Sequence, residues 1–209
     1  MSKGKFPVFL VLALALAALL PRQARAVDPC DWDSQARPAD YEAIMVLPDG
    51  LDEIIDRIPA QSSEDARLAL GLLKRARHSL PLGNISGQWR IRSIQGEQFG
   101  RDHYMVFAYP AFRARIDAAS QCGQFFQKTT GSQRRSGYLY PIAGRDAMAF
   151  LGGATVNDDP LMVYDPDRDS PSNTAGQLIR IGANELLMVL DARPAAEGER
   201  SFELYYLQK

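Results

Sequence analysis

The stretch Ser86-Gly87-Gln88-Trp89-Arg90-Ile91-Arg92-Ser93-Ile94 marks the point at which the chain changes period. Trp89, Ile91 and Ser93 alternate with Arg90, Arg92 and Ile94, a period of two that puts successive side chains on opposite faces of a strand. Similar segments follow it. Residues 104–109 are aromatic and β-branched, and Phe112, Ala114 and Ile116 alternate with Arg113, Arg115 and Asp117. Further strand candidates lie at 125–130, 136–140, 148–151, 178–181, 185–190 and 202–207, mostly bounded by Gly, Pro, Asn or Asp at hairpin spacing. The series predicts an antiparallel meander of eight or nine strands, most economically closed as a small barrel, with a two-sheet β-sandwich as the alternative. A closed barrel with its interior filled by Trp89, Phe112, Ile116 and Phe202 would leave only surface binding.

Upstream of Ser86 the period is helical. Pro38 suits a first helical turn, and Tyr41, Ile44, Met45 and Leu47 follow at a spacing near 3.6 until Pro48. Leu51, Ile54, Ile55 and Ile58 repeat the stripe before Pro59. Ser62 and Ser63 then cap a third helix with Leu68, Ala69, Leu72, Leu73 and Ala76 on one face and a basic last turn that complements the helix dipole. The fold class is therefore α+β: a helical annex over 27–85 and a barrel domain over 86–209.

Residues 1–26 read as an export signal. Lys3 and Lys5 precede an apolar run over 6–20, and Ala24-Arg25-Ala26 places small residues where a signal peptidase cuts. A retained membrane anchor is the alternative, but the run is short for the ~20 residues that span a bilayer. Four of the 24 basic residues precede Val27, which leaves 20 against 25 acidic side chains, a net of about −5. That balance gives no electrostatic drive toward nucleic acid. Export points to the periplasm or the exterior, with no membrane span after signal removal. An oxidising compartment favours pairing Cys30 with Cys122, the only two cysteines; free thiols are the alternative.

Gly87-x-Trp89 at the start of the first strand resembles the opening of lipocalin-like barrels. That resemblance implies a structural trio in which Gly87 admits the turn, Trp89 plugs one barrel end and a late arginine, Arg180 or Arg200, lies over its ring.

The most polar concentration is Lys128-Thr-Thr-Gly-Ser-Gln-Arg-Arg-Ser-Gly-Tyr-Leu-Tyr-Pro141. As a hairpin, Gly131-Ser132-Gln133 turns the chain and Gly137 relieves crowding where the strand bends. As a site, backbone N–H groups with Ser132, Ser136, Arg134 and Arg135 form an anion or carboxylate cradle. Ser132, Gln133, Arg134 and Ser136, joined by Asn157 and Asp158 from the following polar loop, are the candidate ligand-binding residues. Arg90, Arg92, Arg113 and Arg115 read as a solvated outer face unless their strands are neighbours, in which case they form one stripe.

Cofactor and metal chemistry find no support. His78 and His103 stand alone, no Gly-x-Ser-x-Gly occurs, and the two cysteines lie far apart. Asp165, Asp167 and Asp169 alternate as in a calcium loop, but Ser170 stands where glycine is needed and Gly176 where the closing glutamate would be, so the reading is a solvated acidic loop. Asp158 and Asp159, being adjacent, would point to opposite faces of a strand and make a poor carboxylate pair.

Taken in order, several short motifs resemble an exported bacterial family known as domain of unknown function 4893. They are Ser86-Gly87-x-Trp89-Arg90, Phe112-Arg113-x-Arg115-Ile116, Lys128-Thr129 with Gly131-Ser132-Gln133-Arg134, Ser136-Gly137-x-Leu139-Tyr140-Pro141, Phe150-Leu151-Gly152, Val156-Asn157-Asp158, Arg180-Ile181-Gly182 and Glu203-Leu204. The resemblance runs from about Trp32 to the end. It implies export from a bacterial cytoplasm and carries no activity. That family often has Cys at the position of Ala114, which would make a Cys30–Cys122 bridge particular to this chain. The expected function is a β-barrel binding module for a small ligand or an envelope protein. A hydrolase using Ser132, Arg134 and Asp158 on an envelope substrate and a protease-inhibitor-like barrel are the alternatives.

Overall fold

Eight strands, each paired antiparallel with the next in sequence, close into a barrel when the last meets the first. The computed structural model describes residues 30–58, 63–99, 103–168, 170–190 and 200–209; the export signal read at 1–26 lies outside them. The strands are β1 (Gly87–Phe99), β2 (His103–Ile116), β3 (Gln124–Lys128), β4 (Gln133–Pro141), β5 (Ala147–Val156), β6 (Asn173–Gly182), β7 (Glu185–Leu190) and β8 (Arg200–Gln208). Ile91 opposite Leu207 and Ile94 opposite Leu204 set the closing register.

Residues 104–109 and 112–116 belong to a single strand, β2, rather than to two. Pro110 is the reason they read as separate. It has no N–H to give the ladder, and the β1–β2 register shifts there: Arg92 faces Ala111 but Ile94 faces Ala108, so β2 carries an extra residue as a bulge.

Alternation sorts the strands into two cores. Trp89, Ile91, Ala114, Ile116, Phe126, Leu139, Phe150, Leu178, Met188, Tyr205 and Leu207 fill the inside of the barrel. The other parity of the same strands, including Ile94, Val106, Leu151, Ile179, Leu187, Val189 and Leu204, packs outward against the helices. Phe202 belongs to this second set, unlike Trp89, Phe112 and Ile116: Glu203 and Tyr205 take the inward positions of β8, so Phe202 must face out.

The annex consists of α1 (Trp32–Gln35), α2 (Pro38–Met45), α3 (Leu51–Arg57) and α4 (Glu64–Ala76). Ser63 accepts the Ala66 N–H at 3.0 Å to begin α4, whose Ala66, Ala69, Leu70, Leu72, Leu73 and Ala76 are buried. Helix α2 lies on β6, and α4 lies against β2 and β6. Polar clasps fix the seat. Asp65 accepts the Ala108 N–H at 3.0 Å, Arg145 donates to Leu47 O at 2.5 Å, and Arg75 pairs with Glu185 while donating to Ile181 O at 2.8 Å. The Cys30–Cys122 disulfide ties the start of the annex to the β2–β3 loop.

Candidate functional site

The lower end of the barrel is sealed by the chain itself. Gly87 enters β1 with φ of 123°, a value open to glycine, and Trp89 donates its indole N–H to Ile85 O at 2.9 Å. The cation over the Trp89 ring is Lys209, 4.6 Å from the centroid, rather than the arginine that the barrel resemblance implies. Arg180 closes the same end differently, donating to the carbonyls of Leu82 at 2.6 Å, Ala183 at 2.6 Å and Asn84 at 3.1 Å. The side chain of Arg200 lies outside the described residues.

Above the apolar floor the interior turns ionic. Glu203, 1% exposed, accepts from Arg135 at 2.6 Å, Ser93 at 2.7 Å and Gln95 at 3.1 Å. Arg135 also donates to the Tyr205 hydroxyl at 3.0 Å. Lys128, 3% exposed, donates to Gln133 O at 2.6 Å and stands 4.6 Å from the Phe112 ring centroid. Burial pulls its pKa down to about 8; Glu203 works against the fall, and Arg135 and Arg134 add to it. The inside of the barrel is thus occupied by its own side chains at both levels.

The sequence-predicted residues gather at the upper rim, largely engaged with one another. Asn157 N–H donates to Ser132 O at 2.6 Å, and Arg134 donates to Gly131 O at 3.0 Å and reaches Asp158 at 3.5 Å. Gln133 contributes its carbonyl to Lys128, and Ser136 donates to Met162 O at 2.7 Å. Arg134 and Ser136 border a depression of only about 60 Å³ with Lys128, Thr155 and Asp159, and neither Ser132 nor Asp158 lines it. Ser132, Arg134 and Asp158 therefore do not converge on one concave surface there, as the hydrolase reading requires. Arg135 leaves the group altogether, because its neighbour Arg134 faces outward and it faces in. In the acidic loop Arg168 pairs with Asp165 at 3.5 Å; Asp169 is outside the described residues.

A larger concavity, about 390 Å³, lies on the outside of β4 and β5. Tyr138 and Tyr140 of β4 and Leu151 of β5 form its floor, the β5–β6 loop adds Val163 and Tyr164, α1 adds Gln35, and the β2–β3 loop adds Ser120 and Cys122. Tyr138 is 41% exposed and sits between Phe125, edge-on at 5.1 Å, and Tyr140 at 6.0 Å. The other two phenols are pinned: Tyr140 donates to Gln35 at 3.4 Å, while Tyr164 donates to Asp40 at 2.5 Å and accepts the Arg37 N–H at 2.9 Å. Burial pushes the pKa of both above the ordinary tyrosine value, and the Asp40 carboxylate pushes Tyr164 further, so both remain neutral donors. Among the described residues, no charged side chain lines this cleft. Sequence reading missed it because its lining comes from five separate segments. The one local signal was the Tyr138-x-Tyr140 alternation beside the strand glycine.

A family model described as Domain of unknown function (DUF4893) matches residues 32–207, from the start of α1 to Leu207 near the end of β8. The chain belongs to this family. No curated protein and no solved structure matches it. The DUF4893 match takes in every described residue that lines the cleft, so annex, barrel and loop fall within one family unit; Cys30, which bridges to Cys122, lies just before it.

Proposed function

We propose that this DUF4893 protein is an exported, periplasmic or secreted binding module whose ligand is a small uncharged ring compound held in the outer cleft. The observation that carries the reading is the cleft itself: about 390 Å³, walled by Tyr138, Tyr140 and Tyr164, with amide and hydroxyl groups and no charged side chain among its described lining residues. That volume is within the range of small-molecule sites, and an aromatic wall with a few fixed polar groups is how such sites hold rings. The side-chain-filled barrel supports an outer site over an inner one. The Cys30–Cys122 bridge supports export, since such bonds persist in oxidising compartments.

The test is a thermal-shift and tyrosine-fluorescence titration with phenol, indole and N-acetylglucosamine, on the wild type and on Tyr138→Ala. The exposed Tyr138 ring can be removed without opening the core. Stabilisation and a fluorescence change in the wild type, lost in Tyr138→Ala, are expected. Equal responses in the two proteins, or none to any probe, would overturn the assignment.

A further inference from the structure

The arginines of β1 and β2 do form one stripe, because their strands are neighbours. Arg90 is directly opposite Arg113, with Arg115 one pair below, opposite Gln88, and Arg92 one pair above, opposite Ala111. Two like charges facing each other across a strand pair are destabilising, so this sheet face is not arranged for its own stability. Arg115 is neutralised by Asp117 at 2.7 Å, but no acidic side chain among the described residues pairs with Arg90, Arg92 or Arg113. Arg90 and Arg113 are exposed.

Between Arg90 and Arg92 lies a groove of about 300 Å³, completed by Ile91, Pro110, Ala111 and Gln208. Alternate residues on one strand face are ~6.5–7 Å apart, so two guanidinium groups can flank one phosphate and bind it through paired N–H donors. Arg92 is held by a bond from its Nε to Tyr109 O at 2.9 Å. Tyr109, whose carbonyl takes that bond, is itself exposed at the Pro110 bulge. A tyrosine next to unpaired arginines matches the layering of a bilayer interface, with phosphate outside and acyl chain below.

We infer that the β1–β2 face, centred on Arg90, Arg92, Arg113 and Tyr109, docks the protein on an anionic phospholipid surface. This surface is separate from the outer cleft and stands whether or not the cleft takes a ring compound. Each guanidinium should contribute about five-fold to binding at an anionic surface, so removing two should weaken it about 25-fold.

The experiment is co-sedimentation of the folded chain with phosphatidylcholine vesicles, with and without phosphatidylglycerol. Wild type, Arg90→Gln/Arg113→Gln and a control of equal charge loss on α4, Arg67→Gln/Lys74→Gln, are compared, and thermal melting confirms that each is folded. Binding only to the phosphatidylglycerol vesicles is expected, weakened about 25-fold in the β1–β2 variant and unchanged in the control. A Tyr109→Ser variant should bind more weakly with the charge intact. Equal binding by the two double variants, or equal binding to neutral vesicles, overturns the inference. So does binding to soluble polyphosphate with none to vesicles, which would make the face a polyanion site.

Discussion

Replacing Glu203 with glutamine removes the one anion around which the upper barrel interior is assembled. Among the described residues, Arg135 at 2.6 Å, Ser93 at 2.7 Å and Gln95 at 3.1 Å depend on it, as does Lys128 through longer-range attraction. Breaking a buried pair by removing one partner costs about 3–5 kcal/mol, because the remaining ion stays desolvated. Lys128 tempers the loss. Its pKa is already about 8, and without the Glu203 charge it falls further, so the amine gives up its proton more readily while the guanidinium of Arg135 cannot. We therefore expect about 3 kcal/mol, a fall in Tm of roughly 6–12 °C for a chain of this size. The assay is urea unfolding followed by far-UV circular dichroism. The double variant Arg135→Met/Glu203→Leu, which leaves no unpaired charge from the pair, should recover most of the stability. A Glu203→Gln loss below about 1 kcal/mol, the range of exposed pairs, would refute the reasoning. A double variant no better than the single one would do the same.

Lys128 gives a pH test. Its folded pKa of about 8 lies below the ordinary 10.5, so between those values the unfolded chain holds a proton that the folded chain has released. Stability should therefore rise with pH across that window, by up to about 3 kcal/mol from this group. Lys128→Met should flatten the rise relative to wild type in urea midpoints taken at both ends; parallel curves would remove Lys128 as the cause. A methyl group on Gly137 would meet Leu151 O at 2.2 Å and Gly152 Cα at 2.4 Å, so Gly137→Ala should destabilise by about 3 kcal/mol. Gly71, with nothing within 4 Å, should gain about 0.5–1 kcal/mol from the same change, and opposite-signed Tm shifts check the pair. Cys30→Ser opens a 92-residue loop and should cost about 4–5 kcal/mol by the chain-entropy model, read as a lowered denaturation midpoint matched by wild type under reductant.

The barrel was legible because most of its strands have a filled inside and a differently covered outside, and alternation survives in such strands. Pro110 broke one strand into two apparent ones, since a missing N–H reads locally as an end rather than a bulge. The helical stripe at Leu68, Leu72 and Leu73 was equally readable, because α4 has a single apolar face and a capped start. The interior ion pair was not readable. Arg135 and Glu203 are 68 positions apart, and nothing near either marks it as inward-facing except strand parity. The same parity separates Arg134 from Arg135, two residues that composition alone groups into one cradle. The rim residues Ser132 and Asn157 do meet, as do Arg134 and Asp158, but through contacts that shape the turn and loop. The cleft needed the tertiary structure, because α1, two loops and two strands each supply one or two residues.

Closing the barrel through β1 and β8 also sets an order of events. Arg90 pairs with Gln208, so the ring cannot shut until the last strand arrives, whereas each hairpin can form as soon as its own two strands exist. Helix α4 meets the same constraint from the other end of the chain. It rests in a core that includes Ile94, Phe202 and Leu204, a surface that does not exist before β8 is in place. The first helices to be made are thus among the last to dock, and the nascent chain carries two unpaired strand edges until then. Such a chain folds slowly and keeps its unpaired edges open for longer than one whose helices could dock at once.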